Sequence, residues 1–491
     1  MFIKGIQIKN FKLFSPNEYF EISDLNIPDG QNSGSGLNIF VGENGCGKST
    51  LLDAFAMPYV SYKTDSFSIS DINNPNEKVE INIFTNEVYN YKGTMPNSNL
   101  KGKGFAFKGG IRSRGNKEFL SSIVVTDQQY IRADGETKPK DNTPDLRLSV
   151  NNPWSGSRFN EIEYLILDKN RTFQTRKGTY NDTRFDRIME DLNYQYIQKE
   201  NNPTDCNDSL KEVKNLENKG VIVGIAEAIS KFNEISGNQL KLKLIDNWKP
   251  FTNAFFGTDK ENLQSIPLNQ LGSGYEMIFS LIYSYYLSKK VNKKLIVLID
   301  EPELHLHPKL QSDFIELLLE FSKDSQIILT THSPLFIKQA TSNNVKIKIL
   351  TKTENSVVVA NPELAVLPYI SANEVNYIAF QLATEEYHNE LYERLFDLKA
   401  TNRNIKEFDI SFFQLEKNEP KNSPWKGYPN EVSLHTFLRN QIHHQAENGK
   451  AEYEQLKLSI DPLCGLRGKR MLDVVNGFSF AKINPLEHCY S

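Results

Sequence analysis

A glycine loop that ends in lysine and serine is the segment of this sequence best suited to holding phosphate groups. Residues 42–49 read GENGCGKS, which fits the pattern G-x-x-x-x-G-K-[ST] between a strand-like apolar run and a helix-like run. Its glycines let backbone N–H groups point at phosphate oxygens, and the following helix N-terminus adds partial positive charge. Lys48 would neutralise the β- and γ-phosphates of a nucleotide, and the Ser49 hydroxyl would hold Mg²⁺. The residues expected to line this site are Gly42, Asn44, Gly45, Gly47, Lys48, Ser49 and Thr50.

Two carboxylates end a second apolar run and are placed to bind a metal ion and to activate water. Residues 295–299 are aliphatic, as in a buried strand of a parallel sheet, and Asp300 and Glu301 follow directly. In such sheets, phosphate-binding loops lie at the carboxyl ends of the strands. We predict that Asp300 binds Mg²⁺ through water and that Glu301 polarises the attacking water.

Two shorter segments add polar groups to the same set. Residues 271–276, LGSGYE, open a long apolar helix with a small loop containing Ser273 and Gly274, and such a helix start is another anion site. Residues 331–333, THS, follow the apolar run QIIL and place the imidazole of His332 at the end of a further strand. A lone histidine there is as consistent with a surface residue as with a functional one, but the neighbouring motifs favour function.

The elements that must position these motifs alternate between strands and helices. Strand patterns precede residues 42, 300 and 331. One helical pattern follows the glycine loop, a second begins near residue 273, and a third, after the strand at 295–299, ends at about residue 322. Helical crossovers between successive strands make those strands parallel. The sequence therefore predicts an α/β fold with a largely parallel sheet.

These four motifs, in this order, resemble the ABC-type P-loop ATPase heads of the SMC, RecF and OLD-nuclease group. The resemblance covers about residues 1–57 and 265–350. It implies that VGENGCGKST is the Walker A motif, LGSGYE the signature motif and LIVLIDE the Walker B motif, with ATP and Mg²⁺ as ligands. It also implies that His332 senses the γ-phosphate, so that Lys48, Glu301 and His332 are the expected catalytic residues.

The resemblance also implies an assembly. In that group the signature motif of one subunit closes over the ATP held by the other, so Ser273 and Gly274 should act in trans. A physical consideration points the same way, because one loop with Lys48 leaves the γ-phosphate facing solvent. A second anion-binding helix start has nothing to bind unless another copy docks across a two-fold axis. We expect a homodimer, or a higher assembly built from it, that closes on ATP.

Four features differ from parts of that group. LGSGYE departs from the widespread form LSGGE and resembles the variant in bacterial defence ATPases. A glutamine loop has no unique assignment, since Gln128, Gln129 and Gln174 all follow plausible strands. The sequence contains no long heptad run, which excludes the extended coiled coil of SMC proteins. Residues 360–491 show no convincing acidic set for the Toprim nuclease domain of OLD proteins.

Composition limits the class of partner. The chain has 491 residues and a formal charge of −4, so it has no overall attraction to nucleic acid or to a membrane surface. Nucleic-acid contact would need a local patch, for which the basic segment 101–117 is a candidate and a solvated loop the default. Four cysteines without CxxC spacing indicate reduced thiols, and no apolar run approaches the ~18 residues of a membrane helix. With a strand-like N-terminus unlike a signal peptide, we expect a soluble, cytoplasmic protein.

Two histidines follow the Walker B segment in the string EPELHLHP. In a strand, His305 and His307 would share a face, but two histidines without a third ligand make a weak metal site. The same string resembles OLD-type and Septu-type ATPases, in which it runs toward the dimer contact. We therefore expect a structural role.

The end of the chain contains a candidate site of another kind. Arg439, Asn440 and His444 resemble the R-x4-H motif of HEPN ribonucleases, in which Arg and His from two subunits meet on RNA. A histidine can transfer a proton while an arginine holds a phosphate. So short a motif is also met by chance in a helix, and a structural role or a partner surface is the alternative.

The expected organisation has three parts. An ATPase head comprises residues 1–60 and 240–360, a mixed insertion with a β-rich part and a short helical arm comprises 61–239, and a helical domain comprises 361–491. By resemblance to standalone ATPases of antiphage systems such as Septu, PARIS and retron-linked operons, the chain would be a nucleotide-gated sensor or scaffold. Its partner would be a separate nuclease or toxin. The alternatives are a ribonuclease regulated by ATP and a DNA-repair ATPase of RecF type that clamps duplex DNA.

Overall fold

The structure is a computed structural model and describes residues in two compact units, Met1–Ala360 and Asn361–Ser491. The described residues are 1–57, 69–92, 99–111, 118–126, 129–132, 162–167, 221–237, 239–243, 255–258, 266–267, 272–290, 292–340, 344–353, 356–360, 371–400, 402–444 and 449–471.

The strands and helices of these residues are given in chain order. The strands are β1 (Ile3–Lys9), β2 (Phe20–Ile22), β3 (Leu37–Val41), β4 (Val79–Lys92), β5 (Asn99–Ile111), β6 (Glu118–Thr126), β7 (Gln129–Arg132), β8 (Ile162–Leu167), β9 (Leu240–Lys243), β10 (Phe255–Thr258), β11 (Ile266–Pro267), β12 (Lys294–Asp300), β13 (Gln326–Thr331), β14 (Lys346–Lys352), β15 (Val357–Ala360), β16 (Ser423–Trp425) and β17 (Tyr428–Val432). The α-helices are α1 (Lys48–Ala56), α2 (Val221–Ser236), α3 (Ser273–Lys290), α4 (Pro308–Phe321), α5 (Pro334–Ala340), α6 (Ala372–Phe380), α7 (Glu385–Lys399), α8 (Ile405–Phe408), α9 (Leu434–His443) and α10 (Tyr453–Met471). Short 3₁₀ helices span Ile69–Asp71 and Pro302–His305, and a π-helix spans Asp409–Glu416.

A six-stranded, largely parallel sheet forms the centre of the first unit. Its strand order is β15-β14-β3-β13-β12-β8, in which β15 pairs antiparallel with β14 and the other neighbours pair in parallel. The strands β3 and β13 are buried along their whole length, as expected for strands covered on both faces. The predicted α/β class with a parallel sheet is therefore confirmed.

An antiparallel sheet shares one hydrophobic core with the central sheet. Its strand order is β2-β1-β4-β5-β6-β7. Ile6 of β1, Leu51 and Phe55 of α1, and Ile296 and Leu298 of β12 belong to one buried cluster. The helix that follows the glycine loop thus packs in a core built from both sheets, which holds its first turn in a defined place.

Residues 61–239, expected as an insertion, contribute to both sheets and to the helical layer. The strands β4 to β7 extend the antiparallel sheet from β1, and β8 pairs in parallel with β12. The helix α2 packs against α3, where the rings of Phe232 and Phe279 meet edge to face with centroids 5.5 Å apart. Strands of the expected head and strands of the expected insertion therefore lie in the same two sheets.

The described residues of the second unit are mainly helical and include a small hairpin, β16–β17, which confirms the helical character expected of this part. Side chains of Ser371, Thr384, Asn404 and Ser433 accept hydrogen bonds from N–H groups at the starts of α6, α7, α8 and α9. Within the described ranges of both units, no helix combines the length and the apolar character that crossing a membrane requires.

A buried polar network lies inside the second unit. The Ser459 hydroxyl is 2.9 Å from His388 Nε2 and 2.7 Å from His435 Nδ1, and all three side chains are buried. Burial, with a smaller effect of His435, lowers the pKa of His388 to about 3, so its ring is neutral at pH 7. Since Ser459 is 0 % exposed, no substrate reaches its hydroxyl, and the network joins α7, α9 and α10 as a structural feature.

Candidate functional site

The carboxyl ends of three parallel strands meet at one edge of the central sheet. The pairing places Asp300 of β12 beside Thr330 of β13, and Thr331 beside Val41 of β3. The glycine loop begins immediately after Val41, and the two other motifs continue from the ends of β12 and β13. Parallel register therefore brings three of the predicted motifs together.

The loop between β3 and α1 has a backbone that favours glycine. Gly42, Gly45 and Gly47 have φ angles of 153°, 79° and 95°, where a side chain would be strained. A Cβ atom on Gly42 would lie 2.2 Å from the Leu350 carbonyl oxygen, whereas one on Gly45 would meet no atom within 4 Å. Asn44 and Gly45 are exposed. The loop is packed at its base and open at its tip, as a cradle for an anion requires.

Lys48 is the first residue of α1 and is only 4 % exposed. Its Nζ donates to the carbonyl oxygens of Gly42 and Glu43, at 2.9 Å each. Burial lowers the pKa of this amine, and the nearby carboxylates of Glu301 and Asp300 oppose that effect. Because two neutral carbonyls compensate a buried charge poorly, a phosphate group would be a stronger partner.

Oxygen ligands suited to Mg²⁺ lie beside this amine. Asp300 is buried at the end of β12, and its Oδ1 accepts from the Thr330 hydroxyl at 2.5 Å. Ser49 is half-buried and Thr50 buried in the first turn of α1. A hydroxyl and a carboxylate fit Mg²⁺, which prefers oxygen ligands and usually keeps several of its waters.

Glu301 and His332 face each other, with Glu301 Oε1 and His332 Nε2 3.2 Å apart. Glu301 has a φ of 45°, which is costly for a residue with a side chain and clusters at functional sites. Its backbone N–H donates to the Thr330 carbonyl at 3.1 Å, which holds this conformation. Burial and then the charge of Lys48 lower the pKa of His332, whereas Glu301 opposes the shift. A carboxylate beside a neutral imidazole is able to orient a water and to accept its proton.

Glu303 is a site residue that the motif analysis missed. Its Oε1 accepts from the backbone N–H of His332 at 2.5 Å, and burial raises the pKa of its carboxyl group. Further along, Gln311 of α4 accepts from the Ser333 hydroxyl at 3.2 Å. The segment after β12 therefore braces the end of β13. The signal was present in the string EPELHLHP, which puts a second acidic residue two positions beyond Glu301.

The signature residues lie at the N-terminus of α3, against the same segment. Ser273 Oγ is 2.9 Å from His305 Nδ1. A Cβ atom on Gly274 would lie 2.4 Å from the His305 carbonyl oxygen and 3.2 Å from Leu306, so glycine is needed for this packing. The predicted signature loop therefore contacts the segment that follows β12 of the same chain.

His305 and His307 are not neighbours on a strand face, and that geometric premise was wrong. His305 ends the 3₁₀ helix Pro302–His305, and His307 is the N-cap of α4, its ring accepting from Lys309 N at 3.4 Å. A proline is the first residue of both helices, Pro302 of the 3₁₀ helix and Pro308 of α4, because its fixed φ suits the first helical position. Across the described ranges, no three His, Cys, Asp or Glu side chains are grouped as a metal site.

Other sequence predictions lie partly or wholly outside the described residues. Gln128 and Gln174 are outside them, as are residues 112–117 of the basic segment. Gln129 is the first residue of β7. The position of a glutamine loop therefore stays open.

The ribonuclease-like residues lie on α9 in the second unit. Arg439 donates from Nε and Nη2 to Glu393 Oε1, at 3.2 and 3.1 Å. The ring of His443, one helical turn further on, lies 3.7 Å from the same oxygen. His444 is exposed and is the C-cap of the helix. The structure thus gives Arg439 an acidic partner that it shares with His443, a residue the motif had not included.

Comparison with known proteins finds a family that spans more than half of this chain. The profile of the family described as "AAA domain, putative AbiEii toxin, Type IV TA system" matches residues 37–338. That range includes the glycine loop, the signature residues, the carboxylates after β12 and the histidine after β13.

Three curated proteins are similar to this chain at low identity. Protein ea59 of Escherichia phage lambda is 27% identical over 323 residues, 65% of this chain and 49% of that protein. "Retron Vc95 probable ATPase" of Vibrio cholerae serotype O1 biovar El Tor is 25% identical over 414 residues, 71% of this chain and 76% of that protein. The OLD nuclease of Thermus scotoductus is 23% identical over 348 residues, 68% of this chain and 59% of that protein. The chain thus spans about half of the first relative. The predicted resemblance to OLD and retron-linked ATPases is confirmed.

Proposed function

The chain belongs to the AAA-domain family whose profile it matches over residues 37–338, and we propose that it binds and hydrolyses ATP in a site completed by a second copy. One observation carries the proposal: Lys48, Asp300, Glu301 and His332 converge where three parallel strands end. A buried cation, a buried carboxylate and a carboxylate–imidazole pair beside an open glycine loop are the groups that phosphoryl transfer to water needs.

Each group has a distinct task in this proposal. The loop N–H groups and Lys48 hold the β- and γ-phosphates, and Glu301 orients the attacking water and accepts its proton. His332, kept neutral by burial and by Lys48, donates its one ring N–H to an oxygen of the γ-phosphate. Mg²⁺, held by Ser49 and through water by Asp300, would neutralise charge on the phosphates.

The second copy contributes the signature residues. Ser273 and Gly274 stand at the N-terminus of an 18-residue helix, whose partial positive charge suits a phosphate. Next to them, Leu304 is 62 % exposed although it is aliphatic. Leu304 lies on the 3₁₀ helix Pro302–His305 that follows β12, directly before the histidine that contacts Ser273, and an exposed leucine there fits a surface that another copy covers.

The relatives support a role in defence against phage. One is named as a retron ATPase and another as an OLD nuclease. We infer that this chain is a nucleotide-gated sensor or scaffold, in which closure on ATP controls a partner nuclease or toxin. We expect the chain to act in the cytoplasm with that partner.

Mixing two inactive variants tests the composite site. Lys48→Ala removes the phosphate-binding amine and Ser273→Arg blocks the signature, so each variant alone should lack ATP turnover. A mixed dimer contains one intact site, formed by the loop of the Ser273→Arg chain and the signature of the Lys48→Ala chain. An equimolar mixture should recover about a quarter of wild-type turnover, because about half of random dimers are mixed and each has one of two sites.

The readout is steady-state phosphate release from the mixture and from each variant alone at equal total protein. Thermal unfolding of each variant checks that both are folded. Recovery shows that loop and signature from different chains form one site. A mixture no more active than its components contradicts the composite site.

A ribonuclease in the second unit is the alternative, and the Arg439–Glu393 pair is the observation that favours it. Glu393 holds the arginine in a fixed position on the same helix whose C-cap is the exposed His444, and an oriented guanidinium is a group able to place a phosphodiester. Burial and then Arg439 lower the pKa of His443, which keeps that ring neutral near pH 7. His443 therefore becomes a further candidate for proton transfer.

Under this alternative, RNA cleavage in the presence of ATP should fall about 10²-fold in Arg439→Ala and in His444→Ala. Cleavage of labelled total RNA on a gel measures it. Arg403→Ala, at an exposed arginine of the same unit, is the matched control and should cleave like wild type. Wild-type protein without RNA cleavage, or full cleavage by His444→Ala, removes the alternative and leaves the ATPase proposal untouched.

A further inference from the structure

We propose that His305 is the positioning residue for the signature serine, donating from Nδ1 to Ser273 Oγ so that the serine hydroxyl points its proton at the nucleotide of the partner copy. The inference rests on the composite ATP site proposed above. It assigns a specific task to a histidine that the sequence motifs leave without a chemical role.

The start of α3 meets His305 through a side-chain contact and through backbone packing. Ser273 Oγ and His305 Nδ1 are 2.9 Å apart. The serine is the first residue of α3, and the backbone of His305 fills the space that a side chain on Gly274 would occupy. The helix start and the histidine are thus packed backbone to backbone, and their separation is set by that packing.

The single proton of the Ser273 hydroxyl fixes the direction of its hydrogen bond with His305. A serine hydroxyl has one proton and two lone pairs, so it can donate to one acceptor while it accepts from another group. To bind an anionic phosphate oxygen, Ser273 must donate its proton outward. The imidazole must then be the donor, because a ring nitrogen that accepted from the hydroxyl would turn that proton away from the phosphate.

The same segment is attached to the nucleotide site of its own chain. Glu303, two residues before His305, accepts from the backbone N–H of His332. Gln311 donates from Nε2 to the Leu306 carbonyl at 3.1 Å and accepts from the Ser333 hydroxyl. One short segment therefore contacts the end of β13 on one side and the signature serine on the other. His305 is the point at which it reaches the serine.

The test places His305→Leu in one chain or the other of the mixed dimer. The productive site takes its signature from the Lys48→Ala chain, so a loss through Ser273 should follow His305→Leu in that chain. We expect about five- to tenfold lower turnover there, the effect of one hydrogen bond, and a clearly smaller loss when the change is in the Ser273→Arg chain. ATP affinity, measured with a fluorescent analogue, should not change in either case.

A conservative variant separates the hydrogen bond from simple packing. His305→Asn supplies an amide donor at nearly the same place as the ring nitrogen, so it should restore most of the turnover lost in His305→Leu. His307→Asn is the matched control, since asparagine is also a good N-cap for α4. In homodimers with Lys48 intact, the double variant Ser273→Ala, His305→Leu should be no slower than Ser273→Ala alone.

The outcomes distinguish this inference from the proposed function. Equal losses from either chain of the mixed dimer, additive losses in the double variant, or no recovery in His305→Asn each overturn the role of His305. If the mixture of Lys48→Ala and Ser273→Arg recovers activity in the same experiment, the composite ATP site stands without it. If that mixture stays inactive, the composite site itself fails and this inference fails with it.

Discussion

Replacing Glu301 by Gln should lower ATP turnover about 10²- to 10³-fold while ATP binding is retained. The amide keeps the size of the side chain, and the backbone N–H of residue 301 still donates to the Thr330 carbonyl. What is lost is the negative charge that we propose accepts a proton from water. Because Glu301 also opposes the lowering of the pKa of His332, its removal leaves that imidazole still more firmly neutral.

Single-turnover hydrolysis and equilibrium binding of ATP measure this prediction, and size exclusion measures its consequence for assembly. In the proposed cycle, ATP binding closes the dimer and hydrolysis opens it, so Glu301→Gln should form a longer-lived dimer with ATP than the wild type does. Glu316→Gln, at an exposed position of α4, is the matched control and should turn over like wild type. Turnover within tenfold of wild type in Glu301→Gln would assign proton transfer to another group.

Replacing Lys48 by Ala should weaken ATP binding by ~10²-fold or more, since truncating one partner of a buried charge pair costs ~2–5 kcal/mol. The amine is buried against the Gly42 and Glu43 carbonyls, and burial already lowers its pKa. The free protein gains little from this buried charge, so its own unfolding temperature should change little. The loss should appear when nucleotide is added.

Thermal unfolding with and without ATP separates these two effects. At 100 times the wild-type Kd, bound ATP should add about 2.7 kcal/mol to the free energy of unfolding of the wild type. At that concentration it should add less than ~0.5 kcal/mol to Lys48→Ala. Lys4→Ala, at an exposed lysine of β1, is the control and should respond like wild type. An undiminished ATP response in Lys48→Ala would place the nucleotide elsewhere.

The two variants separate the binding of ATP from its hydrolysis. Lys48→Ala should fail at the first step and Glu301→Gln at the second. A common defect in both would mean that the carboxylate also serves binding. Because the two side chains influence each other electrostatically, the double variant would measure their coupling directly.

Much of the candidate site was predictable because its proposed chemistry depends on residue types at short, fixed spacing. The glycine loop, the Asp300–Glu301 pair and the strand before His332 each occupy a few consecutive residues. Their apolar flanks revealed the strands, and the order of strands and helices revealed a parallel sheet. Glu303 was not singled out, since one more acid after a motif has no distinctive spacing.

Other features could not be predicted because they depend on residues far apart in the chain. The contact of Ser273 with His305 spans 32 positions, and that of Glu303 with His332 spans 29. The pairing of β1 with β4 and of β8 with β12 likewise required the folded sheets. In the second unit, helix phase placed His443 on the side of Arg439 that faces Glu393, which the motif spacing alone did not indicate.

By itself, the sequence determined which chemical groups this protein has and the class of fold that carries them, because both follow from local residue order. The tertiary structure decided which of those groups meet. Strand register set the edge where Lys48, Asp300 and His332 converge, and the packing of a helix start against one turn joined Ser273 to His305. Hydrogen bonds act over about 3 Å, so such partnerships exist only once the backbone is folded.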